Sequence, residues 1–452
     1  MALRNTKFTF EELKAMLEVS KKVFFIGIGG ISMSGIAEFC LSLGKEIYGY
    51  DRERSERTAH LEEIATVRYF STPDSIQDMD MVVYTNAIDE HNLEYRRAKQ
   101  LKIPLVSRAN LLGYIANLHR ARIGVSGMHG KSTTTSLLCH IYKSAKKNPT
   151  VFCGAKMKNC DTGYRFGGRE CCIFEACEYQ RSFLCLPATD ALVLNMELDH
   201  PDYFFSTEDV VNAFQEYISH ARRAFINCDN ELCKRLSHKN AITFGFCKDA
   251  CYRGEIIKED ECGTTVLVYR GGSLLSTVSI PLFGKHNAYN ALGAFAVAHT
   301  DGIPIDIIKK AISTFQGVKD RTELKGKTDT GADIFVDYAH HPTEIRASLS
   351  AFKQMGYKNI LCVFQPHTFS RTFYLYNEFT TAFEDAGELV FFPTFSAREE
   401  NIYELSEENF ALDCGGTYES NIEKIKHRVA KTHCDAVVLM GAGDLSRILL
   451  RG

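Results

Sequence analysis

Three times along the chain an apolar run closes on glycine and is followed by sequence of helical spacing. In the first, residues 23–30 read VFFIGIGG, and Ile31, Met33, Ile36, Ala37, Phe39, Cys40 and Leu43 follow at helical intervals. That order predicts a strand, a tight turn and a helix. EIYGYD, ending at Asp51, MVVYTNAI at 81–88 and IPLVS at 103–107 add three short apolar strands separated by helical or turn sequence. Together they predict an open α/β sheet.

The second mark, RIGVSGMHGKSTTTSLLCHIY, repeats strand, glycine loop and helix from near Arg122, so a new domain is expected to begin there. CCIFEACE, DALVLNMELDH and RAFINCD read as three more buried strands. Residues 252–280 alternate as β-hairpins with a turn at Gly271 and Gly272, which makes the middle domain mixed. Helices at about 287–299 and 305–315 lead to the third mark, DIFVDYAHHP. NILCVFQPH, ELVFFPT and AVVLMGAGD then continue an α/β alternation in a third domain starting near Val318. No internal repeat or low-complexity tract interrupts this order.

Composition narrows the class. With 452 residues the chain exceeds a single small core, and 45% hydrophobic with 24% charged residues is the balance of a packed globular protein. A formal charge of −3 gives no bulk attraction for nucleic acid or anionic lipid, so any phosphate must be gripped locally. No apolar run approaches the roughly 18–20 residues that cross a bilayer. The first residues carry no apolar signal core, so the expected location is cytoplasmic. Sixteen cysteines, none in a C-x-x-C pair, read as reduced, mostly buried thiols rather than zinc ligands or a disulfide framework.

The strongest chemical signal is Gly127, Met128, His129, Gly130, Lys131, Ser132 and Thr133 between a strand and a helix. Backbone N–H groups at a helix N-terminus form an anion site. Lys131 adds a solvent-side charge for the β/γ-phosphates and Ser132 a hydroxyl for Mg²⁺. Val125 stands where the general P-loop has its first glycine, so this is a shortened G-x-x-G-K-S form. In the first domain Gly27, Gly29 and Gly30 suggest a dinucleotide turn, with Ser32 in place of the third glycine and Asp51 at the ribose-binding position. On these residues alone, a nicotinamide site and a plain strand–helix turn both remain open. Glu175 and His200 each follow a predicted strand and are expected to converge on one metal bridging nucleotide and substrate, with Asp199 as an outer support or His200 as a merely buried imidazole. Asn287 and Asn290, in HNAYN, either read an adenine edge or cap a helix.

Taken together, GIGGISMSG, GMHGKSTTT, EACEY with SFL behind it, LNMELDHPDYF, GKHNAYNAL, DYAHHPTEI, FQPHTFSRT and GAGD resemble the Mur ligases, in order and over nearly the whole chain. The resemblance implies a Rossmann-like UDP-sugar domain at residues 1–119, a central P-loop ATPase domain at 120–317 and a Rossmann-like C-terminal domain at 318–452 that closes over ATP. It implies ATP-dependent joining of L-alanine to the lactyl carboxylate of UDP-N-acetylmuramate through an acyl phosphate, with ATP and Mg²⁺, by a monomer or homodimer. Neither nucleic acid nor membrane is an expected partner.

Residue by residue, the resemblance puts ATP phosphates on Gly127, Met128, His129, Gly130, Lys131, Ser132 and Thr133, and Mg²⁺ on Ser132, Glu175 and His200. Adenine falls near Asn287 and Asn290, with Arg321 and Asp337 approaching the nucleotide. The UDP-sugar lies over Gly29, Gly30, Ser32, Met33, Ser34, Gly35 and Asp51, with Ser107, Arg108 and His129 near its carboxylate. Tyr338, His340, His367 and Arg371 surround the alanine. The catalytic set is Lys131, Glu175, His200 and Arg371.

The chain also departs from the family pattern. Ser132 replaces the usual Thr, Cys177 and Gln180 replace acids, and Asp320 and Thr322 flank Arg321 where Arg-Arg-Phe is common. Thr368 occupies a position often held by Arg, leaving Arg371 as the carboxylate clamp; the alternative is a surface arginine paired with an acid such as Glu378. Three rival functions are a sister ligase adding another amino acid or peptide, a non-catalytic binder of UDP-sugar or ATP, and a nicotinamide dehydrogenase, which would leave the P-loop unexplained.

Overall fold

The first apolar run becomes the centre of a parallel sheet because Val23, Phe24, Phe25 and Ile26 all find cover, leaving none for solvent. The computed structural model describes residues 8–260, 262–397, 399–443 and 445–449. Asp444, which closes the GAGD block, lies outside them. The described residues divide into two units, one within 8–196, 211–244 and 293–308, the other within 197–210, 245–292 and 309–449.

The first unit opens with α1 (Phe10–Val19), β1 (Lys22–Ile26), α2 (Ile31–Ser42), β2 (Glu46–Tyr50), α3 (Glu56–Glu62), β3 (Thr66–Arg68), β4 (Met81–Tyr84), α4 (Leu93–Leu101), β5 (Leu105–Ser107) and α5 (Arg108–Asn117). Its five strands run parallel in the order β3-β2-β1-β4-β5. β1 and β4 pair in register, and Phe24, Ile26, Val82 and Tyr84 pack with Ile76 and Ala98 on one face. Each such side chain, fully buried, contributes about 1.5–3 kcal/mol. Helix α1 was not foreseen, although Thr9 and Glu12 form a reciprocal capping box at its start.

The chain continues with β6 (Ala121–Ser126), α6 (Lys131–Ser144), β7 (Thr150–Met157), β8 (Thr162–Arg165), β9 (Cys171–Glu175), β10 (Asp190–Val193), α7 (Thr207–Ser219), β11 (Arg223–Asn227) and β12 (Ala241–Gly245), all in the first unit but for the start of α7 and Gly245. Their order is β12-β11-β10-β6-β9-β7-β8, parallel except for the β7–β8 hairpin. That hairpin packs on α2: a Cβ on Gly35 would lie 2.5 Å from the Tyr164 ring, so only glycine fits there.

The second unit holds the meander β13 (Tyr252–Asp260), β14 (Gly263–Arg270) and β15 (Ser273–Ile280), which turns at Gly271 and Gly272, both at positive φ as the GG signal requires. Next come α8 (Lys285–Thr300) and α9 (Ile305–Ser313), which both run between the units' residues. The chain then forms β16 (Glu323–Lys327), β17 (Asp333–Asp337), α10 (Pro342–Gln354), β18 (Ile360–Phe364), α11 (Phe369–Tyr374), α12 (Tyr376–Thr380), β19 (Glu388–Phe391), α13 (Glu407–Asp413), β20 (Thr417–Tyr418), α14 (Ile422–Lys431) and β21 (Ala436–Met440). Their sheet has the order β16-β17-β21-β18-β19-β20, with only β16 antiparallel. Strand β18 is buried throughout because alternate residues serve two cores. Ile360, Cys362 and Phe364 join one, and Leu361 and Val363 join the other. The molecule is therefore α/β with an N-terminal parallel sheet, a central mixed sheet and a C-terminal mixed sheet, as expected.

Candidate active site

The glycine loop after β6 sits between two neighbouring parallel strands, at the carboxyl end where open α/β sheets bind ligands. Gly127 and Gly130 have φ of +138° and +83°, a region that other residues enter only with strain. No side chain caps α6, which leaves its N-terminal amides to the loop and to an anion. Asn195 braces the loop from β10's end. Its Oδ1 accepts the His129 N–H at 2.8 Å, its Nδ2 donates to the His129 carbonyl at 3.0 Å, and its own carbonyl accepts the Met128 N–H at 3.3 Å.

Lys131 does not occupy the solvent-side position expected for it. Its ammonium donates to the carbonyls of Gly127 (2.5 Å) and Met128 (2.9 Å) and to Glu178 Oε1 (3.0 Å), so the loop and a buried acid share it. Burial alone would lower its pKa; Glu178, aided by Cys177 and Glu175, more than reverses this, and the group stays charged. Glu175 ends β9. Its Oε1 accepts the Gly154 N–H at 2.5 Å and the Cys153 thiol at 3.3 Å. The same thiol lies 3.5 Å from the Ser132 carbonyl, so Cys153 links Glu175 to the first turn of α6. The Ser132 hydroxyl of that turn and the Glu175 carboxylate at the end of β9 are oxygen donors of the kind a hard cation such as Mg²⁺ takes.

In the first sheet Gly27, at φ +81°, makes the turn after β1. Asp51, beyond β2, accepts the Gly29 N–H at 2.7 Å and the Arg52 N–H at 2.8 Å, so its carboxylate braces the turn. A Cβ on Gly29 would come within 2.8 Å of that carboxylate. Arg57 donates to the Gly29 carbonyl at 2.6 Å, and Arg108 donates to Ser32 Oγ at 3.1 Å. The structure thus gathers Gly29, Gly30, Ser32, Asp51 and Arg108 about one turn. Ser107, fully buried, accepts the Asn110 N–H and caps α5. Met33 and Ser34 face the interior, and Gly35 is closed off by Tyr164, because that side of α2 is a packing face.

In the second unit, Asn290 donates to Asn287 Oδ1 at 3.2 Å and Asn287 to the Phe283 carbonyl at 2.8 Å, tying the first turn of α8 together. Asp337, ending β17, accepts from the Ala339 N–H, the Thr322 N–H and hydroxyl, and the Ser348 hydroxyl, so its acceptors are largely committed within the chain. Arg321 lies 4.8 Å over the Tyr338 ring and 3.5 Å from Glu344.

The alanine-directed residues do converge. The His340 and His367 rings are 5.4 Å apart, Tyr338 is 5.3 Å from His340, and Arg371 Nη1 is 3.0 Å from His367 Nδ1. Arg371 is 6% exposed and pairs with Asp199, 4% exposed, through Nε (3.2 Å) and Nη2 (3.1 and 3.4 Å). The Glu378 pairing is therefore replaced by one with an acid 172 residues away in sequence. Asp199 also accepts the N–H of His200, which stands at φ +54°. Ser132 and Glu175 belong to the first unit and His200 to the second.

Hydrogen-bond roles fix the histidine tautomers. A guanidinium only donates, so His367 Nδ1 is an acceptor and its proton sits on Nε2. His340 Nδ1 faces the Tyr338 carbonyl at 2.9 Å and must donate, which leaves Nε2 as the acceptor. Burial, reinforced by Arg371, pushes His367 down to about 4. Burial likewise pushes His340 down to about 3 against the opposing pull of Glu344. Both rings are neutral at physiological pH.

Asn195, Glu178, Cys153, Gly154 and Arg57 were missed as contributors to the site. Asn195 and Glu178 lie inside LNMELDH and EACEY, so a signal existed; Cys153, Gly154 and Arg57 carried none.

Comparison with known proteins places these features in a family. Residues 22–120 match the Mur ligase family, catalytic domain, residues 125–298 the Mur ligase middle domain, and residues 320–443 the Mur ligase, glutamate ligase domain. A UDP-N-acetylmuramate–L-alanine ligase of Clostridium novyi is 36% identical over 446 residues, covering 95% of this chain and 96% of its own. The ligase of that name from Aquifex aeolicus is 34% identical over 437 residues, covering 94% and 96%. The crystal structure of UDP-N-acetylmuramate–alanine ligase from Thermotoga maritima superposes with a TM-score of 0.80 at 26% identity, covering 94% of this chain and 97% of that one.

Proposed function

The chain belongs to the Mur ligase family, and from that premise we propose that it joins L-alanine to the lactyl carboxylate of UDP-N-acetylmuramate with cleavage of ATP to ADP and phosphate, a step of peptidoglycan synthesis. The observation that carries this reading is similarity running end to end, 95% of this chain against 96% of a relative bearing that activity in its name. The uncapped N-terminus of α6 beside the Ser132 and Glu175 oxygens supports the nucleotide and metal parts.

A carboxylate resists attack by an amine because its charge repels the nucleophile and its oxygen is a poor leaving group. ATP with Mg²⁺ supplies the phosphoryl group that makes it an acyl phosphate. The amides of Gly130 and Lys131 and the Lys131 ammonium hold the phosphates, Lys131 leaving the carbonyls of Gly127 and Met128 to do so. Ser132 and Glu175 offer oxygens to the cation, with Glu175 oriented by Gly154 and Cys153. Arg371, locked along one edge by Asp199, presents its remaining Nη1 hydrogen to the alanine carboxylate. His340 Nε2, unprotonated, accepts a hydrogen bond from the alanine ammonium and so orients its nitrogen, while the proton itself leaves to solvent, because burial makes this ring too weak a base to take it.

The test is purified protein with UDP-N-acetylmuramate, ATP, Mg²⁺ and each amino acid in turn, read by phosphate release and product mass. Phosphate release requiring both the sugar and alanine is expected. Preference for another amino acid or a peptide would reassign the chain to a sister ligase, and binding without turnover would make it a non-catalytic homologue.

A further inference from the structure

Of the sixteen cysteines, two that lie 21 residues apart in sequence meet outside the site described above. Cys139 and Lys143 are one turn apart on α6 and so face the same way. Both meet the turn that follows β7. The Lys143 ammonium donates to the Asn159 carbonyl at 3.1 Å and approaches Cys160 Sγ at 3.8 Å, while the Cys139 and Cys160 thiols lie close enough to interact. Cys160 is partly exposed and Cys139 is buried. The turn is held open to solvent by its own backbone, with the Cys160 and Asp161 N–H groups both donating to the Met157 carbonyl and Asp161 at φ +57°. Both side-chain amide atoms of Asn159 are buried without a partner, so the turn has polar capacity in reserve.

We propose that Cys160 and Cys139 form a peroxide-responsive dithiol, Cys160 the attacking thiol and Cys139 the resolving one. The contact with Cys139, with Lys143 and Arg165 nearby, brings the Cys160 thiol below its ordinary pKa, while the same contact and burial push Cys139 up. The Cys160 thiolate attacks one oxygen of hydrogen peroxide, the O–O bond breaks, and hydroxide leaves to give a sulfenic acid. Cys139 then loses its proton and attacks that sulfur. The S–O bond breaks and an S–S bond forms, so two thiols and one peroxide give one disulfide and two waters. The bond would tie α6, which begins at Lys131 and Ser132, to the β7–β8 hairpin. That hairpin already grips α2 through Tyr164, whose hydroxyl donates to Glu38.

The experiment uses the full chain, differential alkylation and peptide mass mapping. At pH 7, Cys160 should be alkylated at least tenfold faster than Cys262, which is exposed. Stoichiometric hydrogen peroxide should give a Cys139–Cys160 disulfide that dithiothreitol reverses. Cys139→Ser should instead leave a sulfenic acid at Cys160 that dimedone traps, with Cys139→Ala as the second variant should serine disturb the helix. Cys160→Ser should keep its basal turnover and form no bridge to Cys139. Cys160 reacting no faster than Cys262, or a first disulfide between other cysteines, overturns the proposal.

Discussion

Asp199→Asn should loosen the second unit more than any comparably small change in it. At 3.1 Å, the Asp199 and Arg371 charges attract by about 5 kcal/mol for an effective dielectric near 20, and most of that offsets the cost of taking both from water. Removing one member of a buried pair typically costs ~3–5 kcal/mol because the other charge is left without compensation. Asparagine keeps one acceptor oxygen for the His200 N–H and for Arg371, so the loss should fall near the low end, about 3 kcal/mol. Native-state hydrogen exchange at the amides of β18 reads this directly, since that strand is buried on both faces and opens only with its unit. An exchange rate increased roughly 150-fold is expected. The double variant Asp199→Asn with Arg371→Gln should lose less than the sum of its parts by about 2 kcal/mol. A change below threefold in the single variant, or strict additivity in the double, would refute the claim that these side chains form a desolvated pair.

Lys131→Ala should lower turnover by about a hundredfold or more. Because buried Glu178 then loses its ammonium partner, it should also cost about 2–3 kcal/mol of stability, which Glu178→Gln restores without restoring the rate; unfolding midpoints and initial rates check both. Gly154→Ala places a Cβ 2.6 Å from Glu175 Oε2 and should raise the Mg²⁺ concentration for half-maximal rate about tenfold while leaving the unfolding midpoint nearly unchanged, as a Mg²⁺ titration would show. The folded-state pKa values of His367 and His340, about 4 and about 3, lie below the ordinary imidazole value. The unfolded chain therefore binds more protons between pH 6.5 and those values, and stability falls as pH drops through that window. His367→Gln should remove up to about 3 kcal/mol of this acid sensitivity in denaturant titrations at pH 4.5 and 7.

Strands ending in glycine were legible because a parallel strand covered on both faces needs an unbroken apolar run, and the turn behind it needs positive φ. VFFIGIGG and RIGVSGMHGK therefore gave their elements directly. The β7–β8 hairpin was missed because TVFCGAKM alternates neither in period two nor into a turn motif, and its cover comes from α2, about 120 residues earlier. Among site residues, the glycine loop could be located from its own neighbourhood, whereas His340 and His367 were reached only through the family resemblance. The Asp199 partner of Arg371 could not be located, since nothing local marks a buried pair formed across 172 residues. The position of Lys131 was misjudged for a related reason: a lysine in a glycine loop reads as solvent-facing until the acid beneath it, here Glu178, is seen.

A loop whose lysine already has three partners changes the heat of nucleotide binding. When a phosphate arrives, Lys131 keeps Glu178 and exchanges two carbonyls for phosphoryl oxygens, so the hydrogen-bond count barely rises. Calorimetry on the free protein should then find a small enthalpy for the phosphate group, with a favourable entropy from water released by the anion. The ordering of the loop, meanwhile, has been completed during folding rather than left for the encounter, so nucleotide capture should be fast and nearly independent of loop motion.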